Sequence, residues 1–93
     1  MNWQYLLEAD VLVELGKKLQ QYRKHLGLSQ QQLADKIGIS RYRISNIERG
    51  ENFTMEVFIR LLKTYNKLND MQQLFEISNI SPKELFQKSQ DKK

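Results

Sequence analysis

Cysteine is absent from this 93-residue chain, and proline occurs once, as Pro82. Without thiols there is no disulfide and no thiolate metal site. With so little proline, helices can run uninterrupted. The single histidine, His25, sits near an expected helix C-terminus, where positive charge is favoured. It has no second histidine or carboxylate pair at metal-ligand spacing. The four glycines, Gly16, Gly27, Gly38 and Gly50, are isolated, so no glycine-rich phosphate loop exists. No purely apolar run exceeds three residues, as in Val11-Leu12-Val13. That is too short for a transmembrane helix or the core of a signal peptide. These absences lead to the expectation of a soluble, cytoplasmic chain that is not an enzyme and has no metal, cofactor or membrane.

What is present is a helix-forming chain with 40% hydrophobic residues and an uneven charge. The formal net charge is +4, but residues 1–16 carry −3 and residues 50–93 carry +1, whereas residues 17–49 carry +6. A basic face attracts polyanions and speeds their encounter.

Apolar spacing gives the elements. Leu12, Leu15, Leu19, Tyr22 and Leu26 recur at helical intervals, with Asp10 as an N-cap and Gly27 as a stop. Ser29 caps a second helix, with Gln32 completing a capping box and Leu33, Ala34 and Ile37 facing inward. Gly38 turns the chain and Ile39 plugs the turn. Ser40 then caps a third helix with Ile44 and Ile47 inward, which Gly50 closes. Thr54 caps a fourth helix through Val57, Phe58, Leu61, Leu62 and Tyr65, and Asp70 starts a short fifth through Met71, Leu74 and Phe75. Ser81-Pro82-Lys83-Glu84 is a further helix start. Of the aromatic residues in the second half, most suit the core. Phe75 and Phe86, with Leu74 and Leu85, suit a subunit interface. Trp3 suits either a partner anchor or an N-terminal turn folded onto its own bundle. The expected architecture is one all-α domain over residues 1–93, a compact bundle of about five helices. Its core is 10–76, with an N-terminal arm 1–9 and a C-terminal extension 77–93.

The third helix carries Arg41, Tyr42, Arg43, Ser45 and Asn46 away from its apolar residues. A short helix with such a face is shaped for the major groove of DNA. Leu28-Ser29-Gln30, Leu33-Ala34, Gly38, Ser40, Ile44-Ser45 and Ile47-Glu48-Arg49-Gly50 together resemble the Cro/cI-type (XRE) helix-turn-helix family, over residues 13–66. The resemblance implies a lambda-repressor-like bundle with a central helix-turn-helix that binds operator DNA as a two-fold homodimer. It places Arg41, Tyr42, Ser45 and Asn46 against bases, and Gln30, Ser40, Arg43 and Arg49 against phosphates. It also makes Arg23 and Glu48 a structural pair. The implied function is an autoregulating transcriptional repressor on a palindromic operator. Residues 53–86 also resemble HipB-like regulators, which would add a HipA-like kinase toxin as a partner. A different class of reading is a protein-interaction module that keeps the shape without binding DNA.

Overall fold

The computed structural model describes residues 2–76. Among them a 3₁₀ turn, Trp3–Tyr5, precedes five α-helices and no strand. The helices are α1 (Glu8–His25), α2 (Gln30–Ile37), α3 (Arg41–Glu48), α4 (Met55–Thr64) and α5 (Leu68–Leu74). The all-α bundle with a helix-turn-helix is therefore the fold of the chain.

Local chemistry sets most of the helix starts. The Ser29 hydroxyl accepts from Gln32 N at 3.0 Å, while the Gln32 side chain accepts from Ser29 N at 2.8 Å, closing the capping box. Ser40 accepts from Arg43 N at 3.1 Å and Thr54 from Val57 N at 3.2 Å. Between α2 and α3 the backbone turns at Gly38, with φ of 79°, a left-handed conformation that glycine adopts without strain.

Two starts differ from the sequence expectation. Asp10 and Asp70 lie in the first turns of α1 and α5, not at their caps, which are Leu7 and Lys67. An acidic side chain favours a helix N-terminus from the first turn as well as from the cap, so each helix extends three residues further back. Ahead of α1, the 3₁₀ turn is held by Asn2 Oδ1 accepting from Gln4 N at 2.9 Å, and Glu8 and Ala9, expected in an N-terminal arm, belong to α1. Trp3 is at the edge of exposure, and Tyr5 and Leu7 are exposed. The Ser81-Pro82 helix start, Leu85 and Phe86 lie outside the described residues.

Leu19, Leu33, Ala34, Ile37, Ile44, Ile47, Val57, Leu61 and Tyr65 form the core, with Leu15, Leu28, Ile39 and Phe53 packed on it. Every element from α1 to α4 contributes. The crossing of α1 over the C-terminal end of α3 depends on Gly16. A Cβ there would stand 2.6 Å from the Ile47 carbonyl oxygen and 2.7 Å from that of Glu48. Arg60 donates to the Ile37 carbonyl at 3.1 Å, tying α4 to the last turn of α2. The two helices of the motif are thus clamped from both sides, and α3 is held at a fixed tilt. No helix among the described residues is long and apolar enough to cross a membrane.

Candidate nucleic-acid interface

At about 3.6 residues per turn, α3 has an inward and an outward sector. Ile44, Ile47 and Glu48 point into the protein and are buried. Tyr42, Ser45, Asn46 and Arg49 occupy the opposite sector. Arg41 lies on the flank toward α2, and Arg43 on the flank toward the loop before α4.

Beneath the helix lies an ion pair. Arg23 Nε donates to Glu48 Oε2 at 2.7 Å, and its second guanidinium arm reaches Glu48 Oε1 at 3.1 Å. Its third nitrogen donates to the Leu28 carbonyl at 2.8 Å. The two side chains are almost wholly buried. The bond to Glu48 raises the Arg23 pKa above its ordinary value, against the opposing effect of burial. The guanidinium charge therefore persists, and neither side chain has a ready solvent alternative. Tyr65 is buried close by, and its hydroxyl has no hydrogen-bond partner among the described residues. Burial first, and the Glu48 charge second, push its pKa well above the usual phenol value.

The network extends outward through Gln30. Its amide nitrogen donates to Glu48 Oε1 at 3.1 Å, and its oxygen accepts from Arg41 at 3.4 Å. Gln30 therefore joins the first turn of α2 to both ends of α3. Arg41 is exposed above it. Tyr42 is 71% exposed, a large ring standing free on a ridge. Ser40 is exposed, its oxygen engaged in the cap and its proton still available to an acceptor. Arg43 is half-buried and lines a shallow hollow with Asn52, Phe53 and Thr54.

The structure differs from the sequence expectation at two positions. Asn46, expected to present its amide to a base, is only 6% exposed. Its Oδ1 accepts from Arg49, which lies across it. The reason is length: a short amide one turn from a long side chain is overlaid by it. Arg49, expected on the phosphate side, turns back along α3 and also donates to Ser45 Oγ at 2.7 Å. Asn52 and Thr54, beside Arg43, were not among the expected site residues. The N-cap role of Thr54 was the one available signal that a helix N-terminus would open there.

A helix-turn-helix family model matches residues 19–70, more than half of the sequence. The chain belongs to this family, of the Cro/cI (XRE) type. The match runs from the core residue Leu19 to the first turn of α5, and so includes the whole ion-pair network and the α3 ridge. The helix-turn-helix family comprises DNA-binding regulators and is generally non-enzymatic. No curated protein matches the chain.

Proposed function

We propose that the protein is a transcriptional repressor that inserts α3 into the major groove of a palindromic operator as a homodimer, and that it regulates its own synthesis. The observation that carries this reading is the ridge of Arg41, Tyr42 and Arg49, solvent-facing on a helix whose other side is locked by a buried ion pair. Rigid support beneath an exposed polar ridge is what base recognition requires. Arg41 and Tyr42 would meet base edges: an arginine fork matches guanine O6 and N7, and a tyrosine ring can pack on a thymine methyl. Ser45 sits on the same sector. Gln30, Ser40 and Arg43 would contact phosphates on either flank of the groove and set the register. Two half-sites would lie about 34–36 Å apart, one helical turn. Repression then follows from occlusion of polymerase, with no cofactor.

Leu15, Leu19, Phe58, Leu62, Met71 and Leu74 line an apolar groove of about 320 Å³ between α1, α4 and α5, away from α2 and α3. It supports the homodimer, with a second copy as the occupant. Co-expression with the neighbouring gene product, followed by pull-down, tests whether a HipA-like kinase takes that surface instead.

A mobility-shift titration at rising salt tests the main reading. Binding should weaken steeply, because phosphate contacts release counterions. Arg43→Ala should weaken all sequences alike, and Arg41→Ala should relax preference at one base pair. A protein that retards no duplex at low salt would be an interaction module only.

A further inference from the structure

The cluster at the C-terminal end of α3 has a chemistry of its own. Arg49 occupies the helix C-cap, yet its side chain runs backward over the preceding turn. One guanidinium nitrogen donates to Ser45 Oγ at 2.7 Å and another to Asn46 Oδ1. This brings the guanidinium into the angular sector from which Tyr42 projects, at the crest of the ridge. Arginine has five N–H donors in a fixed plane. Two are engaged here, and the other three have no partner among the described residues.

We infer that Arg49, Ser45 and Asn46 form one base-reading unit, in which Arg49 meets the base edge and selects guanine while Asn46 and Ser45 hold it in place. The inference rests on the reading of α3 as a DNA-recognition helix. An asparagine reads adenine by accepting from N6 and donating to N7. Here Asn46 is buried and its oxygen is engaged by Arg49, so that pairing is closed. A donor-only fork requires two acceptors, and in the major groove guanine presents N7 and O6 side by side. A long side chain fixed by two hydrogen bonds has already lost its rotamer freedom before DNA arrives, which favours a defined contact over a diffuse charge. Arg43, half-buried on the loop flank, has no such bonds among the described residues and fits the phosphate role.

Selection from random duplexes tests this with the full chain, Arg49→Ala, Asn46→Ala and the double variant, each first shown by thermal melting to be folded. The parent should return a guanine in each half-site whose preference Arg49→Ala lowers by roughly tenfold to a hundredfold. Asn46→Ala should relax that same base pair, and the double variant should add little, since the residues act as a unit. Ser45→Ala removes the second acceptor without touching a buried group. It should give a smaller loss at the same position, and it serves if Asn46→Ala fails to fold. The slope of log affinity against log salt should stay unchanged in Arg49→Ala. Relaxation of a different base pair by Asn46→Ala overturns the inference. So does a uniform loss in Arg49→Ala with the salt slope reduced by about one, the mark of a phosphate contact. If the parent enriches no duplex, the DNA-binding reading itself fails, which is a separate result.

Discussion

The half of the molecule built from α2 and α3 is closed, whereas the half built from α4 and α5 is open. In the first half both helices carry a side-chain cap, one of them a full capping box, and seven residues are buried. Beneath it a charged pair is satisfied on several sides. In the second half, α4 has its Thr54 cap and buries Val57 and Leu61, but α5 has no side-chain cap and no buried residue, and Leu74 and Phe75 are 76% and 68% exposed. The contrast separates two requirements. A helix that reads a groove must hold its side chains to within a fraction of an ångström, and so its support is completed within one chain. A surface that meets another protein can leave apolar area uncovered until that protein arrives.

Folding stability should therefore respond very differently to changes in the two halves. The largest loss is expected from Glu48→Ala. It leaves Arg23 charged and buried with the Leu28 carbonyl as its remaining partner, at a cost of about 3–5 kcal/mol. Equilibrium urea unfolding measures this. A loss under 1 kcal/mol would mean that water replaces the carboxylate easily and that the closed half is less closed than its geometry implies. Next is Ser29→Ala, which opens the capping box of α2 and should cost about 1 kcal/mol. The same experiment reads it.

These sites also show what was legible in the sequence. Caps are local: a serine and a glutamine three residues apart identify the start of α2 without knowledge of anything distant, and Ser40, Thr54 and Gly38 follow the same rule. Asp10 and Asp70 mark where the logic blurs, because a carboxylate serves a helix from the cap or from the first turn. The Arg23–Glu48 pair, 25 residues apart, was implied by the family resemblance and not by any spacing. The Arg49 clasp was not legible at all. Its existence depends on which rotamer a long side chain adopts, and several would satisfy the same helical wheel. The identity of the ridge could be read from periodicity, but the residue at its crest could not.

Tyr65 lies on the seam between the halves, and its effect should be smaller. Its raised pKa in the folded chain means that the native state keeps the phenol proton where the unfolded chain releases it. That contribution is fully present below the unfolded value of about 10 and declines as pH rises beyond it. Thermal melts should therefore fall above about pH 10, and Tyr65→Phe should flatten that fall. At neutral pH the substitution removes a buried hydroxyl that has no protein partner among the described residues, so stability should rise by up to about 1 kcal/mol. A loss at neutral pH would instead place an ordered water on that hydroxyl.

The smallest effect on the isolated fold is expected from Leu74→Asp in the open half. Leu74 is exposed, and surface substitutions of that kind change stability by no more than about 0.5 kcal/mol. Association should behave otherwise. A carboxylate on the rim of an apolar groove has to be desolvated when a second copy covers it. The parent's melting temperature should climb with protein concentration, because a partner that binds only the folded state stabilises it by mass action, and Leu74→Asp should remove that dependence. Sedimentation of both proteins across the same concentrations provides the check. If the variant instead unfolds at every concentration, α5 is an integral part of the core despite its exposure, and the division into a closed and an open half does not hold. If the variant melts like the parent and dimerises like it, the groove is not the pairing surface, and the two-fold contact lies elsewhere on the chain.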